Sequence, residues 1–369
     1  MKTNTFLEKL LQGAPVEWKT LGEVCEIKTG QSINKQIISN NPGIYPVINS
    51  GKEPLGYINK WNTEDNPIGV TTRGAGVGSI TWQEGKYFRG NLNYAVTIKD
   101  KAILDVKFLY HTLLEFQQEI HNLCVFTGIP ALNASELKTL EIPIPPLSIQ
   151  KEIARILDAF TAITSELTSE LTLRQKQYEY YRDKLLTFGD EVEWKPLGEV
   201  AKIKHGKDWK KLEKGDIPVY GSGGIMGYVN QYAYNKPTVL IPRKGSITNI
   251  FYVDNPFWNV DTIYYTEIDD SQIYPKFFYY FLKTIDFMKL DTGSGRPSLT
   301  QAILNQILIP IPPLEEQKRI TAILDKFHTL TSSLSDGLPK EIELRQKQYE
   351  YYRDLLLNFK QDEARFCMA

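Results

Sequence analysis

Arg73-Gly-Ala-Gly-Val-Gly78 is glycine-dense enough to pass for a phosphate-cradling loop. Such a loop must lead from a strand into a helix, so that its backbone N–H groups converge on phosphate. Here Ser79-Ile-Thr-Trp82 follows, a strand-like run, and a hairpin turn is the expectation. No GxxxxGK[ST], GxSxG or HExxH motif occurs. Asp254-Asn-Pro-Phe257 approaches the Asp/Asn-Pro-Pro-aromatic motif of adenine methyltransferases but lacks the second proline. His111, His121, His205 and His328 are scattered without metal-ligand spacing. Cys25, Cys124 and Cys367 form no CxxC pair. The chain is expected to be non-catalytic and to hold no cofactor or metal.

Groups suited to DNA do cluster. From Lys195 to Lys214, seven lysines stand against three acids, with His205 and Trp209 interleaved. That suits phosphate contact, where each neutralised charge releases counterions; a solvated lysine-rich loop has the same composition. Arg73 and Arg243 fall at matched turn positions, where arginine can fork onto guanine O6 and N7 or pair within the fold. Asn49, Ser50, Tyr220 and Ser222 lie in matched glycine-flanked loops, and turn chemistry favours the same residues. The expected DNA-facing set is completed by Lys28, Gln31, Lys52, Arg89, Lys204, Lys207, Lys210, Lys211, Lys244 and Arg296.

The elements that must position these groups are of two kinds. Short runs such as 44–48, 68–72 and 79–82 alternate with Asn-Ser-Gly, Arg-Gly-Ala-Gly and Glu-Gly-Lys turns, so they read as strands. One helix is expected near 106–120 and another near 275–288. After Pro145-Pro146, apolar residues recur at Ile149, Ile153, Ile156, Phe160, Ile163 and Leu167, a heptad seam. The partner seam runs Ile320, Ile323, Phe327, Leu330, Leu334, Leu338 and Ile342. Two such seams most economically bury each other as an antiparallel pair. Gly337 and Pro339 predict a break or kink in the second.

All of this occurs twice. Val16-Glu-Trp-Lys-Thr-Leu-Gly-Glu-Val24 returns as Val192-Glu-Trp-Lys-Pro-Leu-Gly-Glu-Val200, and Ile142-Pro-Ile-Pro-Pro-Leu147 as Ile309-Pro-Ile-Pro-Pro-Leu314. LRQKQYEYYRD at 173–183 is repeated letter for letter at 344–354. The offsets are 176, 167 and 171, so order is kept through small insertions. Between these anchors the copies diverge. The fold expected is α+β: two mostly-β domains with short helices, separated by two long helices in an antiparallel coiled coil, with a pseudo-twofold repeat. The domain boundaries expected are 1–145 and 189–312 for the variable domains, 146–188 and 313–360 for the spacer helices, and 361–369 for a tail.

The 369 residues carry 43 basic and 44 acidic side chains, a net charge of −1, with 42% hydrophobic residues. That composition is folded, and any basic surface must be local. No apolar run is long enough to span a membrane. The opening residues lack the pattern of a signal peptide, and the sparse cysteines fit a reducing compartment. A cytoplasmic protein is expected.

Two variable domains, each closed by IPIPPL..Q..I...LD (142–158 and 309–325) and by a helix with RQKQYEYYRD (174–183 and 345–354), resemble the specificity subunit of a type I restriction-modification system. The resemblance covers nearly the whole chain. It implies that each variable domain is a target recognition domain reading one half of a split sequence in double-stranded DNA. It implies that the constant helices space the domains and help dock two modification methyltransferase subunits, with restriction/translocase subunits joining them. S-adenosylmethionine, ATP and Mg would then belong to the partners. Two near-identical constant segments independently imply two equivalent partner sites, with Tyr178, Tyr181, Arg182, Tyr349, Tyr352 and Arg353 as docking candidates, although the tyrosines suit seam packing equally. Two other readings stay open: the recognition subunit of a related bifunctional system, and a coiled-coil adapter without a DNA role.

Overall fold

The computed structural model describes residues 5–51, 53–333 and 335–359. The chain divides into two compact units, one formed by residues 1–167 with 342–369, the other by residues 168–341. Each is mixed α and β, and the strand plans match.

In the first unit, strands Cys25–Thr29, Asn93–Ile98, Ile68–Thr71 and Ile80–Trp82 form an antiparallel sheet in that spatial order. A smaller sheet places Pro42–Ile48 between Tyr57–Ile58 and Phe88–Arg89. The second unit repeats both. Its larger sheet orders Ala201–His205, Ile263–Ile268, Thr238–Pro242 and Phe251–Val253, and its smaller one centres Ile217–Gly221 between Gly224–Val229 and Trp258–Asn259. The central strands Ile68–Thr71 and Thr238–Pro242 are buried throughout, which explains their apolar runs.

The helix expected near 106–120 is two helices, Val106–Glu115 and Gln117–Asn122. Asp105 starts the first by accepting from the Lys107 and Phe108 N–H groups. Near 275–288 the helix Pro275–Leu282 gives way to a short 3-10 turn at Phe287–Leu290. The proline elements that close each domain are strands. Glu141–Ile144 pairs antiparallel with Glu17–Thr20, and Leu308–Ile311 pairs with Glu193–Pro196 in the same register, Trp18 facing Pro143 and Trp194 facing Pro310. Proline fits there because each ribbon has only two strands and hence free edges. Two of the three repeated motifs thus exist to zip each domain shut.

The glutamine of the proline motif locks the helix that follows. Gln150 Oε1 accepts from the Asp105 N–H while its Nε2 donates to the Ile103 and Pro145 carbonyls. Gln317 repeats this with Tyr274, Gln272 and Pro312. Both side chains are wholly buried, so their amides satisfy backbone groups that would otherwise be stranded.

The first constant helix runs unbroken over Leu147–Leu185. In the first unit its early turns pack on Leu338–Leu357: Phe160 stacks on Tyr352, with Ile149 and Ile156 in the same core cluster. In the second unit its later turns meet Leu314–Ser332, with Tyr178 and Tyr181 against Phe327. The strict heptad fails at Ile163, which is 40% exposed, while Thr164 beside it is half-buried. A period of 3.6 has by then drifted off one of 3.5. The second constant segment breaks as expected, with Gly337 at φ +85°, where a Cβ would collide with the Thr329 carbonyl oxygen. Leu334 and Cys367 lie outside the described residues.

Candidate nucleic-acid interface

The expected DNA-facing residues separate into three groups. One converges. In the second unit a cavity of about 620 Å³ is lined by Ser222, Lys244, Gly245, Thr262 and the loop from Thr292 to Ser298, including Arg296. Its two walls are tied by backbone bonds: Gly245 N–H to the Pro297 carbonyl (2.9 Å) and Leu299 N–H to the Arg243 carbonyl (2.8 Å). Asp291 fixes the loop by accepting from the Gly293 and Ser298 N–H groups (2.7 and 2.8 Å). Those donors hold its carboxyl below the ordinary range. Lys244 and Arg296 are exposed.

The first unit repeats the tie. Gly74 N–H donates to the Pro130 carbonyl (2.9 Å) and Leu132 N–H to the Thr72 carbonyl (2.8 Å). Arg73 bridges Ala131 just as Lys244 bridges Ser298. These bonds correct the matched-turn expectation by one residue. The counterpart of Arg73 is Lys244, whereas Arg243 corresponds to buried Thr72. Half-buried Arg243 donates to the Asp261 carbonyl (3.3 Å). Ser50 flanks the first turn, as its carbonyl lies 3.1 Å from where a Cβ of Gly76 would sit, and Ser222 flanks the second through its hydroxyl, 3.3 Å from where a Cβ of Gly245 would sit.

A second group is consumed by the fold. Arg89 is 3% exposed, and its guanidinium donates to Asn93 Oδ1, the Tyr94 and Asn66 carbonyls and the Tyr87 hydroxyl. It stitches the smaller sheet to the larger one, so the expectation of a DNA contact there is corrected. Burial pulls its pKa below the ordinary value. Its structural counterpart in the other unit is Asn259, whose Nδ2 donates to the Ile263 carbonyl. Asn49 is also buried, accepting from the Leu92 N–H through Oδ1. Tyr220 is half-buried against Phe251 and Phe257 rather than lining the cavity.

The third group is exposed or half-exposed away from that cavity lining. Lys28 pairs with Glu26 (2.8 Å) and Lys204 with Glu267 (3.4 Å). Gln31 is exposed, and its N–H donates to the Arg89 carbonyl. His205 sits edge-on to Tyr264. Lys207, Lys210 and Lys211 are exposed on the loop that Trp209 anchors to the Val219–Val229–Val260 cluster. Lys52 lies outside the described residues.

The docking candidates are mostly engaged internally. Tyr349 OH bonds His111 Nδ1 (3.0 Å), whose Nε2 meets Asp158 (2.8 Å). Arg353 pairs with Glu115 (2.7 Å) in a half-buried contact, and Arg182 pairs with Asp183 (2.7 Å). Tyr352 stacks on Phe160 and Tyr181 on Phe327. The outward positions of the same segments are others, which the sequence reasoning missed: Leu173 (61% exposed) and Tyr180 (60%), with their repeats Leu344 (48%) and Tyr351 (62%). The signal was there, since each pair lies seven residues apart, two helical turns, on one face.

Among the described residues no group of three or more His, Cys, Asp or Glu could hold a metal, and no helix is long and apolar enough to cross a membrane.

The comparisons agree with this architecture. The model of the type I restriction modification DNA specificity domain matches residues 15–174 and again 189–344. A protein of Haemophilus influenzae described as a type I restriction enzyme specificity subunit is 38% identical over 97% of this chain and 100% of its own length. A type I restriction enzyme specificity subunit of Escherichia coli is 34% identical over 99% of each. The crystal structure of the S subunit of a type I restriction-modification system from Mycoplasma genitalium superposes with a TM-score of 0.71 at 25% identity, covering 94% of this chain and 97% of that one. With both copies of the domain in place and relatives aligned end to end, the chain belongs to the type I restriction-modification DNA specificity family.

Proposed function

We propose that each unit reads one half-site of a bipartite, non-palindromic DNA target on behalf of a type I restriction-modification complex. One observation carries this reading. Both units build the same two-loop platform with the same backbone bonds, yet dress it with different side chains. A shared scaffold with divergent tips is what two unlike readouts on one chain require. Arg73 in one unit and Lys244 with Arg296 in the other supply the cationic groups; Lys207, Lys210 and Lys211 add phosphate contacts.

The exposed repeats Leu173–Tyr180 and Leu344–Tyr351 offer the same apolar face twice, and each would seat one modification subunit. Exposed large apolar side chains on otherwise polar helices favour a covering partner. Methyl transfer from S-adenosylmethionine and the ATP- and Mg-dependent steps then belong to the modification and restriction subunits, and the complex acts in the cytoplasm. Mapping methylated bases in DNA from cells expressing the intact system tests the reading: two unlike half-sites separated by unread pairs are expected, and a palindromic or uninterrupted target overturns it. A saturated complex holding one modification subunit per chain would overturn the docking assignment.

A further inference from the structure

The two recognition loops can be aligned residue by residue from their own bonds. Val125 N–H donates to the Ala131 carbonyl (2.8 Å), and Thr292 N–H to the Ser298 carbonyl (2.9 Å). With Pro130 matched to Pro297 by the tie to the hairpin turn, the offset is 167 throughout. Gly128, at φ +88°, then corresponds to Gly295, and Ile129 corresponds to Arg296.

The chemistry at this shared position is opposite in the two units. Ile129 is 68% exposed, and its neighbours Val125 and Phe126 are 47% and 51% exposed. Phe126 leans on His121 with ring centroids 4.7 Å apart, which steadies the loop without covering its tip. Three large apolar side chains on one short exposed loop are unfavourable in water unless something covers them. The backbone of Arg73 is bridged to Ala131 of this loop, and its side chain is exposed. In the other unit the loop is Thr-Gly-Ser-Gly-Arg-Pro-Ser, wound tightly enough that a Cβ at Gly293 would collide with the Arg296 carbonyl oxygen.

Resting on the DNA-reading role above, we infer that Ile129 and Arg296 are matched specificity determinants: Ile129 covers the 5-methyl group of a thymine in the major groove of one half-site, and Arg296 forks onto a guanine in the other. Thymine is the base whose major-groove edge is apolar at one point, and guanine the one offering two adjacent acceptors. The platform's exposed cation, Arg73 or Lys244, holds the adjacent phosphate in both cases.

The test uses the chain assembled with its modification subunits and a synthetic duplex carrying the mapped target. Each thymine is replaced in turn by deoxyuridine, which removes only the methyl group. The wild-type complex is expected to weaken about fourfold at one thymine of one half-site, as for one buried methyl. Ile129→Ala should bind the unmodified duplex about fourfold more weakly and become indifferent to that replacement. Arg296→Ala should relax one guanine position of the other half-site by about tenfold or more. Both positions are exposed, so unchanged melting of the variants certifies the fold. If the wild-type complex binds the target but uracil at every position is silent, or Ile129→Ala keeps the wild-type response, the thymine assignment is overturned. If Arg296→Ala leaves every base preference unchanged, the guanine assignment is overturned. If the wild-type complex shows no preference for its mapped target at all, the DNA-reading role itself has failed.

Discussion

The Tyr352 ring lies stacked on Phe160, with centroids 5.0 Å apart and 16° between planes, while Tyr181, the sequence twin of Tyr352, stacks on Phe327 at 5.7 Å and 23°. Each letter-for-letter repeat therefore completes the unit to which the other copy contributes its variable strands. Residues 344–354 pack on the domain that begins the chain, and residues 173–183 on the domain that follows them. Tyr352→Ala is expected to destabilise the first unit by about 1–2 kcal/mol, because it removes the aromatic stacking and a half-buried ring. Tyr181→Ala should do the same to the second unit. Amide hydrogen exchange resolves the two, and protection lost in the second unit for Tyr352→Ala, or in the first for Tyr181→Ala, would contradict the pairing.

Arg89 gives a sharper stability prediction. Its buried guanidinium makes four hydrogen bonds and has no acid beside it in that set. Removing it strands Asn93 Oδ1 in the interior and takes one donor from the Tyr94 carbonyl, while the Tyr87 hydroxyl still donates to the Asn66 carbonyl (2.6 Å). Arg89→Ala should cost roughly 3 kcal/mol, through the missing bonds to a charged group and the stranded Asn93 acceptor. Urea unfolding measures it, and a wild-type midpoint would show that the two sheets hold without this stitch.

The His111–Asp158 contact predicts a pH dependence confined to one unit. Burial lowers the His111 pKa below its ordinary 6.5, although the Asp158 carboxylate opposes the shift. The carboxylate can only accept, so Nε2 carries the proton and Nδ1 accepts from Tyr349 OH. Because the unfolded chain then takes up a proton that the folded one resists, stability falls as the pH drops through 6.5 toward the lowered value. The second unit places Tyr280 and Lys276 on Asp325 (2.7 and 2.8 Å) and has no imidazole in that contact. Melting between pH 7.5 and 5 should show acid loss in the first unit, which His111→Gln abolishes; a slope surviving that substitution would assign it to other groups.

Much of this fold was legible because its signals are local. Heptad spacing, turn glycines and the repeated motifs announce long helices, short strands and duplication. What the helices pack against was not legible, since an identical segment carries no mark of which unit it joins. Nor was the strand nature of Ile-Pro-Ile-Pro, which depends on a partner more than a hundred residues away. For the interface, cationic residues at turns were found by type. However, the true counterpart of Arg73 is fixed by a backbone bridge, and aligning the Arg residues by letter misplaced it by one. Arg89 reads as a surface cation until its four internal acceptors are seen. Ile129 was passed over because an apolar residue in a loop looks like nothing; only its identity of position with Arg296 makes it informative.

The lysine loop and the recognition loop should separate in their response to salt. Lys210 and Lys211 are exposed and carry no base-reading fork geometry, so their contribution is charge. Replacing both with alanine should weaken binding to target and non-target duplexes alike and reduce the salt slope by roughly one unit for each phosphate left unneutralised. Asp291→Ala acts differently. It removes the acceptor that pins Gly293 and Ser298, so the loop carrying Arg296 loses its fixed aim while the charge of the platform rises by one. Non-target binding should hold or strengthen slightly, and target binding should fall as ordering cost is shifted to the bound state. The same selectivity should decline in the wild type as acid protonates Asp291, at a pH below the ordinary carboxylate range because its folded pKa is depressed. Titrations of target and scrambled duplexes at several salt concentrations distinguish these outcomes. If Lys210 and Lys211 altered preference for a particular base, or Asp291→Ala lowered both affinities equally, the division of labour between the two loops would be wrong.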